Sequence, residues 1–182
     1  MLGLERPARR MVIAAGAEEV LELATALLYR RGFYYSRLDL NAVLREAASA
    51  ATTTVRVMKY GAHVRGFFHD FFMEDVFPLA QFAAKSVRNT SSGEVVIVSA
   101  SRNTRETVLT LALLPGLFSE GDYASIIFGD VLDEIATHFR VRGCLIEEGS
   151  NIEPRHLSSN SPAHPTRFEL LKKLARKQGQ RG

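Results

Sequence analysis

Two stretches of the chain, 94–100 and 107–113, consist mainly of aliphatic and β-branched residues, and the polar stretch 101–106 separates them. Such residues favour extended backbone, and two runs joined by a polar loop are typical of a β-hairpin. Pro115 and Gly116 follow the second run and are expected to end its strand. We therefore predict a hairpin in the second half of the chain.

A long helix is predicted after this hairpin, over 122–139. Its apolar residues recur three and four positions apart and form one continuous face: Tyr123, Ile126, Ile127, Val131, Leu132, Ile135 and Phe139. Gly143 then precedes Cys144-Leu145-Ile146-Glu147-Glu148, which is predicted to be a third strand. After a loop rich in Ser, Asn and Pro, residues 166–170 alternate in polarity and predict a fourth strand.

The first half of the chain is predicted to be mainly helical. A stripe of apolar residues predicts a helix over 17–31: Val20, Leu23, Ala24, Leu27 and Leu28. Gly32 stands just beyond it, where a left-handed cap is common. Asp39 can cap a second helix that runs from Leu40 to about Ala51.

Residues 55–60 support two interpretations. They alternate in polarity like a strand, but the same spacing could continue as a helix through the phenylalanines that follow. We favour the helix, because no partner strand is apparent nearby. A further helix is predicted over 74–88. Together these elements predict an α+β protein, with N-terminal helices and the long helix packed on a small antiparallel sheet of about four strands.

Length and composition indicate one folded domain. The chain has 182 residues, of which 46% are hydrophobic, and this is sufficient for a full core. We place the domain at 17–170, between an N-terminal arm, 1–16, with an amphipathic first helix, and a basic C-terminal tail, 171–182. No apolar run approaches the length of a membrane span. The single cysteine, Cys144, excludes an internal disulfide and fits a reducing compartment, so we expect a cytoplasmic protein.

The positive charge of the chain is concentrated at its C-terminus. The formal net charge is only +3, yet the tail alone carries several cations: Lys172, Lys173, Arg176, Lys177 and Arg181. A basic tail of this kind either solubilises the chain or attracts phosphates of nucleic acid or anionic lipid. We therefore expect at most a weak contact of this kind through the C-terminus.

A cluster of aromatic residues precedes the hairpin. Six of the eleven phenylalanines fall within it: Phe67, Phe68, Phe71, Phe72, Phe77 and Phe82. On a helix these side chains would cover two neighbouring faces. Either the helix is buried on both sides, or one side lines a ligand pocket or an oligomer interface. For the second alternative the candidate binding residues are Phe67, Phe68, Phe71, Phe72, Phe82, Ile127 and Phe128.

No motif predicts catalysis, a cofactor or a metal site. The chain lacks a nucleophile elbow, a phosphate-binding glycine loop and the His-Glu-x-x-His signature. An enzyme built around His69 and Asp70 is conceivable, but no spacing requires it. The acidic residues Asp130, Asp133 and Glu134 are interpreted as a solvated helix surface.

The order of elements resembles the 4-vinyl-reductase-type domain, a fold shared with subunits of the TRAPP vesicle-tethering complex and, more distantly, with heme nitric-oxide-binding domains. The residues that carry the resemblance lie mainly between 94 and 170: Leu114-Pro115-Gly116-Leu117-Phe118, Gly121-Asp122-Tyr123, Phe128-Gly129-Asp130-Val131-Leu132, Gly143-Cys144-Leu145-Ile146-Glu147 and Arg167-Phe168-Glu169-Leu170.

The chain departs from these families at two points. The Tyr-x-Ser-x-Arg motif of the heme domains is not reproduced by Tyr34-Tyr35-Ser36-Arg37, so heme is not predicted. The cysteine pair that often closes the 4-vinyl-reductase-type domain is reduced to Cys144, which excludes a cysteine metal site. The resemblance implies a fold that binds small hydrophobic ligands or partner proteins, commonly as a dimer.

We therefore expect a non-catalytic binding or adaptor domain that accommodates a hydrophobic small molecule or a protein partner and forms a homodimer. The alternative is a tethering or scaffold subunit that acts by dimerisation, with nucleic-acid or anionic-membrane association through the basic C-terminus.

Overall fold

The computed structural model describes residues 7–46, 53–60, 93–115 and 121–179. In chain order their elements are β1 (Ala8–Ile13), α1 (Ala17–Arg30), β2 (Phe33–Tyr35), α2 (Leu40–Glu46), β3 (Thr53–Tyr60), β4 (Gly93–Ser101), β5 (Thr107–Pro115), α3 (Gly121–Val141), β6 (Leu145–Glu148), a 3-10 turn (Pro154–His156) and α4 (Pro165–Gly179). The predicted α+β class is confirmed.

The strands form one antiparallel sheet in the order β2-β3-β4-β5-β1-β6. The predicted hairpin is confirmed: β4 and β5 pair along their whole length, from Gly93 opposite Pro115 to Ser101 opposite Thr107. β1 pairs with β5 on one side and with β6 on the other. The sheet therefore has six strands within the described residues, where the sequence predicted about four.

Helices cover both faces of the sheet, because the central strands are apolar on both sides. One face carries α1 and α3 over a cluster that includes Met11, Ile97 and Leu111; we call this the first core. The opposite face carries α2 and α4 over a cluster that includes Val96 and Ala112, the second core.

The end of α1 and the start of α2 are as the sequence predicts. α1 ends at Arg30, and Gly32 adopts a positive φ of 88°, a conformation that glycine adopts without steric cost. At the start of α2 the carboxylate of Asp39 accepts a hydrogen bond from the backbone N–H of Asn41 at 2.9 Å. The Asn41 side chain then bonds both backbone groups of Val55, which fixes α2 against β3.

The prediction of an amphipathic helix near the N-terminus is wrong, because residues 8–13 form β1. Met11, Val12 and Ile13 are consecutive and all fully buried, so both faces of the strand are covered at these positions. A strand buried on both faces shows no alternation of polar and apolar residues. The sequence of residues 8–13 therefore lacks the alternation that is typical of a strand, and a helix was predicted instead.

The helix that we favoured over residues 55–60 is also wrong. These residues lie in β3, which pairs with β4 from Thr53 opposite Ala100 to Tyr60 opposite Gly93. The other neighbour of β3 is β2, a segment for which no strand was predicted. Both partners are set by tertiary folding, so neither was visible as a local hairpin.

At the C-terminus the predicted fourth strand, 166–170, is part of α4. Phe168 and Leu171, three positions apart, are both buried in the second core. This spacing places them on the same side of a helix and is not that of a strand. Residues 171–179, which were assigned to a basic tail, continue the same helix. The third strand and the long helix are confirmed as β6 and α3, whereas the helix predicted over 74–88 lies outside the described residues.

We expect Gly149→Ala to lower the free energy of unfolding by about 1–3 kcal/mol, the usual cost of overpacking. A Cβ at this position would lie 2.5 Å from the carbonyl oxygen of Arg10, which belongs to a paired strand and cannot retreat freely. Urea unfolding measures the change.

Gly129→Ala is the matched control, because a Cβ there meets nothing within 4 Å and the residue lies inside α3. This substitution should raise the free energy of unfolding by about 0.5–1 kcal/mol through lower backbone entropy. Equal effects of the two substitutions would contradict the close approach at Gly149.

Candidate functional site

Most of the predicted aromatic binding residues, Phe67, Phe68, Phe71, Phe72 and Phe82, lie outside the described residues. Phe128 and Ile127 are described and belong to α3. Phe128 is fully buried in the first core, with its ring centroid 6.3 Å from that of Phe33, and Ile127 packs at the margin of this core. Their role in a pocket or an interface stays a prediction.

The four basic residues predicted near the C-terminus do not share one environment. Lys172 points toward the sheet: its side chain is 15% exposed and it forms an ion pair and hydrogen bond with Glu94, whose side chain is 5% exposed. Its ammonium also lies 5.3 Å from the centroid of the Phe168 ring. Lys173, Arg176 and Lys177 are exposed. The structure thus separates one structural lysine from three cations that are available for binding.

Glu94 is the centre of a polar cluster between α4 and the sheet. The strand register places Tyr34, Lys59 and Glu94 side by side on β2, β3 and β4. The ammonium of Lys59 lies 3.8 Å from one carboxylate oxygen of Glu94, and Lys172 pairs with the other oxygen. Burial, and secondly the negative charge of Glu94, raise the pKa of the Tyr34 hydroxyl.

The outer face of α4 combines apolar and basic side chains. Leu170, Lys173, Leu174 and Lys177 fall at positions i, i+3, i+4 and i+7 and therefore share one side of the helix. Leu170 is 48% and Leu174 is 42% exposed. Arg176 lies at the edge of this side. We refer to these five residues as the outer face of α4.

A second exposed surface lies on the opposite side of the sheet, at the edge strand β2. Tyr29 of α1 and Tyr35 of β2 are 61% and 53% exposed, and their ring centroids are 6.3 Å apart. The guanidinium of Arg56, on β3, lies 5.7 Å from the centre of the Tyr35 ring. We call Tyr29, Tyr35 and Arg56 the Tyr–Arg surface.

Hydrogen bonds to α1 hold Arg56 in place. It donates to the Glu22 carboxylate at 2.7 Å and to the Thr25 hydroxyl at 3.0 Å. The hydrogen bond from Arg56 is the main reason that the pKa of the Glu22 carboxyl is lowered; burial acts in the opposite direction, and the positive charge of Arg56 adds a further lowering effect. The cation of the Tyr–Arg surface is therefore preorganised.

The acidic residues of α3 mainly form ion pairs within the fold. Arg9, on β1, is only 6% exposed, and its guanidinium donates to Asp133 at 2.6 Å and to Glu148 at 3.2 Å. Glu134 pairs with Arg31 at 2.8 Å. The role of Arg9 could not be predicted from the sequence, because nothing in the local pattern indicates that β1 lies beside α3 and β6.

Within the described residues, no three His, Cys, Asp or Glu side chains are grouped so that they could hold a metal ion. None of the helices in the described part of the chain is long and apolar enough to cross a membrane. No protein-family model, no curated protein and no solved structure matches the chain.

We expect Lys172→Ala to lower the free energy of unfolding by about 3 kcal/mol, because the substitution leaves the buried Glu94 carboxylate with a weaker partner. Lys59 still faces Glu94 at 3.8 Å, which keeps the cost at the lower end for a broken buried pair. Lys173→Ala, one residue further and exposed, is the control and should stay within about 0.5 kcal/mol of the parent. Similar unfolding midpoints in urea would contradict the buried pair.

The raised pKa of Tyr34 predicts a loss of stability at alkaline pH. Above pH of about 10 the unfolded state releases the Tyr34 proton before the folded state does, so the free energy of unfolding falls as the pH rises toward the folded-state pKa. Tyr34→Phe should reduce this fall, and the exposed Tyr29→Phe serves as the control. Unfolding at pH 9 and pH 11 measures it, and an identical fall in Tyr34→Phe and the parent would contradict the prediction.

Proposed function

We propose that the protein is a non-catalytic binding or adaptor domain that contacts a partner protein. The observation that carries this proposal is the Tyr–Arg surface, in which two exposed tyrosines and a fixed arginine lie together at the sheet edge. Tyrosine and arginine dominate the energetic centres of protein–protein interfaces.

Preorganisation supports this assignment. A tyrosine ring has few rotatable bonds, so two adjacent tyrosines lose little entropy when a partner covers them. Arg56 is held by Glu22 and Thr25 before any partner arrives, which avoids part of the ordering cost of binding. These features favour an interface over a solvated surface.

The partner under this proposal is either a second copy of the chain, as expected for a homodimer, or a different protein. A hydrophobic small molecule is the alternative occupant, and its support is the phenylalanine-rich stretch 67–82 between β3 and β4. Under the same proposal, the resemblance to the 4-vinyl-reductase-type and TRAPP-subunit group would extend to a shared binding function.

Site-specific crosslinking tests the proposal. Tyr35 is replaced by a photoreactive phenylalanine analogue, and Ile146 is replaced in the same way as a control, because it is equally exposed at 53% and lies on β6 at the other edge of the sheet. We expect a crosslinked product with the analogue at position 35 and none with the analogue at position 146. A product of twice the chain mass identifies a second copy, and any other product identifies a different protein.

Substitution of the same residues then measures their contribution. Tyr35→Ala is expected to weaken the captured complex by at least about 2 kcal/mol, as for a residue at the energetic centre of an interface. The proposal fails if position 35 yields no product, or if both positions yield the same products. A hydrophobic ligand retained in native mass spectrometry, without any crosslink, would favour the alternative.

A further inference from the structure

The outer face of α4 combines leucines with cations, and packing in the interior of the protein does not account for this combination. The inner side of the helix supplies Phe168 and Leu171 to the second core and Lys172 to Glu94. Leu170 and Leu174 are left about half exposed on the other side, and Lys173 and Lys177 lie beside them. Two neighbouring exposed leucines flanked by cations mark a surface for an apolar and negatively charged partner.

We propose that the outer face of α4 binds the surface of an anionic lipid bilayer. Lysine and arginine near such a surface are attracted to its negatively charged headgroups, while leucines between them enter the boundary of headgroups and acyl chains. Lys173, Arg176 and Lys177 supply the charge, and Leu170 and Leu174 supply the apolar contact.

The leucines distinguish this partner from nucleic acid. Phosphate backbones are bound by cations, and bases are bound by hydrogen bonds or by stacking on aromatic rings. The outer face of α4 offers neither an aromatic ring nor an amide side chain, and aliphatic side chains at its centre would gain little from a phosphate backbone. An anionic bilayer can contact both the cationic and the aliphatic side chains of this face.

The helix is held in its binding orientation before it meets a membrane. Many amphipathic segments must fold at the bilayer, whereas α4 is already folded on the sheet through Phe168, Leu171 and the Lys172–Glu94 pair. The ordering cost of association is therefore reduced. α4 covers the face of the sheet opposite to α1 and Arg56, so the Tyr–Arg surface remains open when α4 contacts a bilayer. This inference is independent of the proposed protein partner.

Co-sedimentation of the full chain with vesicles tests the inference. The vesicles contain phosphatidylcholine alone or phosphatidylcholine with 30% phosphatidylserine, a composition chosen to supply about the surface charge of an anionic leaflet. We expect binding to the anionic vesicles only, and weaker binding as salt is raised. K173Q/K177Q should weaken binding about 25-fold, since each cation near the surface contributes about a fivefold factor.

The leucine pair and two control pairs complete the test. L170S/L174S should weaken vesicle binding at least about tenfold, because it removes the inserted apolar side chains. R102Q/R105Q removes two exposed cations from the β4–β5 loop, and V141S/I146S removes two exposed apolar side chains elsewhere. Both control pairs should bind like the parent, and circular dichroism checks that all variants are folded.

Four results would overturn the inference. They are absence of binding to the anionic vesicles, binding that L170S/L174S leaves unchanged, equal losses in the control pairs, and binding to duplex DNA without binding to vesicles. A concentration-dependent dimer that L170S/L174S dissociates, without vesicle binding, would assign the face to a second copy instead.

Discussion

β1, β4 and β5 lie in the interior of the sheet, and most of their side chains are excluded from water on both faces. Met11, Val12 and Ile13 are consecutive and all fully buried, which requires cover on both sides of the strand. α1 and α3 supply one layer, and α2 and α4 supply the other. The last helix contributes Phe168 and Leu171 to the same core as Val96, Ala112 and Leu114, so it is part of the cover on this face.

This two-sided cover also places a carboxylate where water cannot hydrate it well. Glu94 alternates with Val96 and Val98 along β4 and so faces the second core. An unpaired charge there would be costly, and Lys172 and Lys59 offset that cost. The same requirement fixes the rotation of α4 about its axis. With Lys172, Phe168 and Leu171 turned inward, Leu170, Lys173, Leu174 and Lys177 must face outward.

The two proposed binding surfaces follow from this layering and lie on opposite faces of the sheet. The Tyr–Arg surface is built from α1, β2 and β3, and the outer face of α4 belongs to the other helical layer. Neither surface is part of the phenylalanine cluster that the sequence emphasised. Tyr29, Tyr35 and Arg56 are spread over 28 positions, and only the pairing of β2 with β3 brings them together.

Local patterns of the sequence by themselves determined the hairpin of β4 and β5, the helices α1 and α3, the Asp39 cap and the turn at Gly32. Each of these depends on residues close together in the chain, so period, capping and glycine placement are sufficient to predict them. Tertiary structure alone decided that 8–13 and 53–60 are strands, that 166–170 is helical, that Arg9 joins β1 to α3, and that Lys172 differs from Lys173. These features arise from partners distant in sequence. In β1, burial on both faces also removes the alternation by which a strand is recognised.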